Sequence, residues 1–294
     1  MIISQNYPIS IFFIRLFMII ILFQKRKICG GYGDRLVGII SLYLIAKLLN
    51  KELKIFWDKE DINKYVNFDK YKITELPNEE IINLLDNRAN SVKKDKNIFN
   101  KPISLVNLNK DISRYFYERD YYKEIFSAYK NLYDDILIPR KCIIEKCKKL
   151  IKPGYIIGIQ IRTGDKMIGG HVVFIENLDF YIKTIFSKIQ DHNKNIKNKV
   201  YFITSDNKDA VDIIIKTGEN IIYNEQEIQH LDFKPKGDFS KIIIDHYFLS
   251  KYTKKMYISS YSNYGRTAAL ISNIDEIYDL ECNKLKKENL LSKD

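Results

Sequence analysis

At 294 residues, 46% of them apolar, the chain can bury the core of one large or two modest domains, and six prolines and twelve glycines exclude collagen-like and linker-dominated chains. The formal charge of +11 suits an acidic ligand such as a nucleoside diphosphate, but also nucleic acid or an anionic membrane surface. The lysines are spread along the chain with only small clusters such as Lys93, Lys94 and Lys96, so a solvated basic surface accounts for them and no nucleic-acid partner is expected.

Residues 9–23 are strongly apolar, yet short of the roughly 20 that a spanning helix needs, and they contain Arg15. Lys25, Arg26 and Lys27 follow, a flank that the positive-inside bias would keep cytoplasmic. A buried first strand near Met18–Phe23 is therefore expected in preference to a signal anchor, with a cytoplasmic location favoured and membrane association through residues 9–23 as the alternative. Cys29, Cys142, Cys147 and Cys282 are too few for a disulfide scaffold and lack zinc-knuckle spacing.

After a glycine turn at residues 30–33, apolar residues recur at helical spacing over 36–49 and then alternate as a strand over 53–57. Between 58 and 140 the pattern is irregular, with helical pieces expected at 79–87 and 120–133. The ring-rich run Tyr115, Phe116, Tyr117, Tyr121, Tyr122 reads either as an amphipathic helix or as a sugar platform. The second half is clearer. A helix over 141–151, a Pro153-Gly154 turn and a doubly buried strand Tyr155–Ile161 precede a helix over 180–191, a strand over 200–204 and a helix over 208–216. A short strand near Ile221, a helix Ser240–Tyr252, a strand over 255–259 and a helix over 264–271 complete the set. Such alternation argues for an α/β fold with mainly parallel sheets.

In parallel sheets ligands collect at the carboxyl ends of the strands, and four such ends carry polar or glycine-rich loops. Gly30-Gly31-Tyr32-Gly33-Asp34-Arg35 would bring backbone close to a ligand at a helix start, or serve as a tight turn; it is neither a dinucleotide fingerprint nor a P-loop. Gly158-Ile159-Gln160-Ile161-Arg162-Thr163-Gly164-Asp165-Lys166 ends a hydrophobic strand in an arginine. Its planar fork suits phosphate oxygens, and pairing with Asp165 is the plain structural alternative. Thr204-Ser205-Asp206 suits ribose or base, or caps the next helix. Ser259-Ser260-Tyr261-Ser262-Asn263-Tyr264-Gly265 offers hydroxyls and helix-start amides, while Asp245 upstream could meet a guanine edge or a surface cation. No Asp-x-Asp occurs, so the usual carboxylate pair for a divalent ion on a sugar nucleotide is missing. Charge on a leaving diphosphate would fall to Arg162, Arg35 or Lys166 and helix amides. His171, His192, His230 and His246 have no metal-ligand spacing.

Taken together, these loops resemble the α1,2/α1,6/O-fucosyltransferase superfamily. Gly30-Gly31-Tyr32-Gly33-Asp34-Arg35-Leu36 resembles its glycine loop, Ile157 to Arg162 is similar to the arginine strand of plant xyloglucan fucosyltransferases, and Thr163 to Lys166 looks like the RTDK run of α1,6 enzymes. Asp245 to Ser250 and Ser260 to Gly265 resemble the helix and serine loop of both groups. The match covers residues 28–57 and 155–272 in order. It implies a GT-B-like fold of two facing Rossmann-like domains, 1–139 on the acceptor side and 140–294 binding the GDP-sugar. The implied activity is inverting, metal-independent transfer from GDP-fucose to a glycan hydroxyl, without a cofactor beyond the donor. Transfer of another GDP-sugar, or non-catalytic binding of a GDP-sugar or carbohydrate, are the alternatives.

The resemblance also assigns roles. Arg162 would hold the β-phosphate, Ser262 would support the diphosphate, Asp245 would address guanine and Asp206 the nucleoside. Gly31, Gly33 and Asp34 would line the fucose and acceptor side, and Gly30, Arg35, Gln160, Asp165, Lys166, Ser260 and Gly265 complete the expected binding set. Gln160 stands where α1,6 enzymes carry a histidine, as in the plant-type pattern. The α1,6 base has no counterpart near Gly170 and His171, which leaves Asp34, Asp165, His171 and Glu176 as candidates.

Overall fold

The computed structural model describes residues 17–23, 30–58, 61–84, 92, 95–117, 119–163, 177–226 and 238–291. In chain order the elements are β1 (Met18–Phe23), α1 (Tyr32–Leu48), β2 (Glu52–Trp57), β3 (Val66–Asn67), β4 (Ile81–Leu84), β5 (Ile103–Leu108), α2 (Tyr121–Asn131), β6 (Ile138–Pro139) and α3 (Lys141–Leu150). There follow β7 (Tyr155–Ile161), α4 (Leu178–His192), β8 (Lys199–Ser205), α5 (Lys208–Ile215), β9 (Ile221–Ile222), α6 (Ser240–Tyr252), β10 (Lys255–Ile258), α7 (Asn263–Ile271), β11 (Ile277–Asp279) and α8 (Lys287–Leu290).

Two parallel sheets result, one ordered β2-β1-β5-β4 and the other β11-β10-β7-β8-β9. β3 and β6 form a small antiparallel pair. The sequence explains the sheet positions. β1 is an unbroken apolar run because it is central and covered on both faces: Ile19, Ile21 and Phe23 join the main core, and Ile20 and Leu22 pack with Leu105 on the other side. β2 alternates buried residues with exposed or half-buried ones and lies at the sheet edge. In β7, Ile157, Ile159 and Ile161 face α4 and α5, while Gly158 faces α6, where an added Cβ would stand 2.5 Å from the Leu249 side chain.

One apolar cluster continues from the first sheet, through α1, α6 and α7, onto a face of the second. Each helix thus buries its stripe against an element of the other half as well as its own sheet.

The expected first strand forms as β1, while residues 1–16 of the apolar lead lie outside the described residues. Among the described residues no helix is long and apolar enough to cross a membrane. Residues 79–87, expected as a helix, instead contain the strand β4, and residues 85–87 lie outside the described residues. Ile81 and Ile82 pair with Leu105 and Val106 of β5, so tertiary pairing overrides a weak helical pattern. The ring-rich run is mostly packing: the Tyr117 hydroxyl donates to Leu44 O at 3.2 Å, Tyr121 donates to Asp111, and Tyr122 stays exposed.

Candidate active site

The carboxyl ends of β7, β8 and β10 lie side by side, because register pairs Gln160 with both Thr204 and Ile258. Side chains then tie these ends together. Arg162 N donates to Ser259 Oγ (2.8 Å), Ser259 N to Gln160 Oε1 (3.2 Å) and Gln160 Nε2 to Ser262 Oγ (3.4 Å). The Tyr261 hydroxyl donates to the Arg162 carbonyl. Gln160 is therefore a buried bracket of the serine loop. Gly265 is needed beside it, since a Cβ there would stand 2.4 Å from Gln160 Oε1.

Arg162 keeps 31% of its side chain exposed, and its Nη1 lies 3.2 Å from Asp206 Oδ2, an ion contact without hydrogen-bond alignment. Asp206 Oδ1 accepts from Thr163 N (2.9 Å) and Thr163 Oγ1 (3.3 Å). Asp206 thus steers the guanidinium from one side, and among the described residues no other group bonds its remaining N–H donors. An arginine oriented by one carboxylate and otherwise open is suited to phosphate oxygens.

Deeper, Asp245 is buried between Lys241 Nζ (3.0 Å) and Thr204 Oγ1 (3.1 Å), both bonding Oδ2. Oδ1 has no hydrogen-bond partner of good geometry among the described residues. Burial raises the carboxyl pKa, opposed by Lys241, Asn224 and Thr204. Lys241 is itself held by Asn224 O at 2.6 Å. The surface ion pair considered for Asp245 is replaced by a buried one, and a desolvated acceptor with a spare oxygen is what a base edge carrying N–H donors would satisfy.

The glycine turn comes to the serine loop. Gly33 lies against the backbone at the start of α7: a Cβ there would stand 2.4 Å from Asn263 C and Tyr264 N. Asp34 Oδ1 accepts from Asn263 Nδ2 (2.6 Å), and its Oδ2 accepts from Gly31 N (2.8 Å). Gly30 turns at φ 80°, and its carbonyl accepts from Arg35 Nε at 3.2 Å. The two helix starts therefore meet at Asp34, which takes a backbone amide at the start of α1 and a side-chain amide at the start of α7.

Three expectations change. Arg35, placed at the diphosphate from sequence, is fully buried in the first sheet's core, its guanidinium carbon 5.5 Å from the Phe23 ring and 5.2 Å from the Trp57 ring. Asp34, a candidate base, has both oxygens engaged. Arg162 pairs with Asp206, and Asp165 and Lys166, like His171 and Glu176, lie outside the described residues. Ser260 is exposed on the loop, and Ser262 sits buried at the N-cap position of α7 without a side-chain capping bond. Sequence reading left Asn263, Lys241 and Tyr261 without roles. Asn263 immediately follows a helix cap, the one local signal it carried.

Behind the two helix starts runs a buried chain: Tyr32 Oη to Tyr133 Oη (3.3 Å), Tyr133 Oη to His246 Nδ1 (2.6 Å) and His246 Nε2 to Thr267 Oγ1 (2.9 Å). Burial lowers the His246 pKa to about 3, so the ring is neutral. A surface hollow of about 590 Å³ beside Lys47, Phe116, Tyr117 and Glu124 lies at the far end of α1. The helix rise puts it about 24 Å from the glycine turn, outside this site.

No protein-family model matches the chain, and no curated protein is similar to it in sequence. Solved structures are similar in fold. An Arabidopsis thaliana FUT1 variant in complex with GDP aligns at TM-score 0.62 and 12% identity, over 89% of this chain and 69% of that one. The chain has the fold of the fucosyltransferases. Fucosyltransferase NodZ from Bradyrhizobium aligns at TM-score 0.60 and 14% identity, over 90% and 95% of the two chains. POFUT1 in complex with GDP-fucose aligns at TM-score 0.51 and 10% identity, over 89% and 96%. In this GT-B-like fold, the start of α7, beside the strand ends of the second sheet, bonds the start of α1, which packs on the first.

Proposed function

We propose that the chain transfers fucose from GDP-fucose to a carbohydrate hydroxyl, with inversion and without a metal ion, residues 1–139 forming the acceptor side and 140–294 the donor side. The observation that carries the reading is Arg162, oriented by Asp206 and open toward a loop that ends at the uncapped start of α7. In this reading the diphosphate sits against Arg162 and the first amides of α7, with Ser262 beside it. Asp34 already compensates the start of α1, so the phosphate charge belongs at α7. Asp245 accepts from the guanine edge through Oδ1.

The acceptor oxygen attacks C1 of fucose as the C1–O bond to the β-phosphate breaks, and the electron pair leaves with GDP. Arg162 and the α7 amides gain strength as that charge develops, which is how they lower the barrier. With both Asp34 oxygens bonded, the acceptor proton passes to a base among the remaining candidates Asp165, His171 and Glu176. That engagement favours a second reading, a binder of GDP-sugar that does not turn it over.

Titration calorimetry with GDP, UDP and ADP, followed by transfer from GDP-fucose across a glycan array with and without EDTA, separates the readings. Selective GDP binding with chelator-resistant transfer is the expected result. GDP binding without transfer selects the second reading, and a preference for UDP rejects both.

A further inference from the structure

We infer that Asn263 is a positioning residue, whose amide latches the glycine turn of one half of the molecule onto the start of α7 in the other. The inference rests on the reading proposed above for its consequence in catalysis, but the latch itself stands on geometry. Asn263 Nδ2 donates to Asp34 Oδ1 at 2.6 Å across 229 residues of sequence, and Asp34 Oδ2 holds Gly31 N at 2.8 Å. Behind it, Arg266 Nη1 donates to Asn263 Oδ1 at 3.3 Å, and Arg266 Nε donates to Leu290 O at 2.6 Å. A cation, an amide, a carboxylate and a backbone N–H thus form one line from the C-terminal segment to the glycine turn.

Polarity fixes the direction of this line. Asn263 must accept from Arg266 with its oxygen, so its NH2 group necessarily faces Asp34. Beside the line, Gly33 and the Asn263–Tyr264 backbone touch without room for a side chain, so the latch sets both separation and rotation of the two helix starts. Asp34 thereby becomes a structural carboxylate rather than a proton acceptor. Its work is to hold the acceptor-side turn where a bound donor would present its sugar.

An exchange of the two residues tests this. Asn263→Ala, Asp34→Asn and Asn263→Asp each remove or oppose the bond, whereas Asp34→Asn combined with Asn263→Asp restores a donor facing an acceptor with the ends reversed. In Asn263→Ala and Asp34→Asn GDP affinity should stay unchanged, because Arg162, Asp245 and the α7 amides are intact, whereas Asn263→Asp sets a carboxylate at the start of α7 and should weaken it. Transfer should fall by about 100-fold in kcat/KM, the scale of a misplacement of about 1 Å, and the double exchange should regain most of it.

Amide exchange supplies a readout free of catalysis: Asn263→Ala should speed exchange at Gly31 while thermal unfolding stays cooperative. Slow exchange at Gly31 in that variant overturns the latch. Wild-type transfer rates in folded single variants, or no recovery in a folded double exchange, overturn the positioning role. Wild-type protein that binds no GDP sinks the functional reading instead, and leaves the exchange result to decide the latch.

Discussion

Two helix starts meet at the centre of this molecule and are built in opposite ways. The start of α1 is closed by its own side chain, since Asp34 accepts the Gly31 amide and supplies the negative charge that a helix N-terminus favours. The start of α7 has Ser262 at its cap without a side-chain capping bond, and Arg162 at the end of the neighbouring strand. At one end Asp34 accepts a backbone amide, and at the other, the more open, it reaches only the Asn263 side chain. A helix start in a glycine-rich loop is therefore not an anion site by sequence alone; what matters is whether a carboxylate stands on it.

The largest break in this contrast is Arg162→Ala. If the open end carries the leaving diphosphate, loss of the guanidinium should cost about 2.7 to 4 kcal/mol in the transition state, or about 100- to 1000-fold in kcat. Asp206 keeps its two bonds from Thr163, so the variant should melt near the wild-type temperature. Steady-state transfer and calorimetric melting of the same preparation check it, and near-wild-type turnover would remove Arg162 from the mechanism.

A second break acts from behind, through the chain Tyr32–Tyr133–His246–Thr267 that joins the first residue of α1 to α7. With its pKa lowered from 6.5 to about 3, His246 is neutral in the fold, while the unfolded chain takes up a proton below 6.5. The stability it contributes is fully present above pH 6.5 and is lost as pH falls from there toward 3. By pH 5 the loss from this one group should be about 2 kcal/mol. Asp245, with its pKa raised from 3.8, has the opposite sign, favouring the fold at the acid end and losing that contribution as pH rises through its folded value. Urea unfolding of wild type and His246→Gln at pH 7 and pH 5 isolates the histidine: the wild type should lose stability over this interval and the variant should lose less.

The sequence made some of this legible for physical reasons. β1 and β7 stand out because central parallel strands must be apolar on both faces, and the loops at the ends of β7, β8 and β10 follow from where parallel sheets place ligands. β5 escaped notice because Ser104 and Asn107 interrupt its apolar run, and β4 because its pairing with β5 is tertiary. In the site, Arg162 could be singled out as a charged residue ending a buried strand. Its pairing with Asp206 could not, because that residue arrives from the neighbouring strand. Arg35 misled for a related reason: an arginine beside glycines reads as a ligand for phosphate, and only the Phe23 and Trp57 rings show that it belongs to the core. The bond between Asp34 and Asn263 has no spacing signature at all.

The finest test of the contrast is Gly33→Ala, because two effects of similar size oppose each other. Gly33 is in the first turn of α1, where alanine gains up to about 1 kcal/mol of helix propensity. Against that, its Cβ would stand 2.4 Å from Asn263 C and Tyr264 N, backbone atoms that can yield only if the two helix starts separate. Overpacking of this kind costs typically about 1 to 3 kcal/mol, so the net loss of stability should lie between about zero and 3 kcal/mol. The geometric consequence is larger than the energetic one, since separation lengthens the Asn263–Asp34 bond while leaving Arg162 and Asp206 in place. Unfolding by urea should therefore register a modest shift, and transfer a clear decrease. A variant whose transfer and stability both match the wild type would show that the two starts can part without consequence, and that their contact is packing alone.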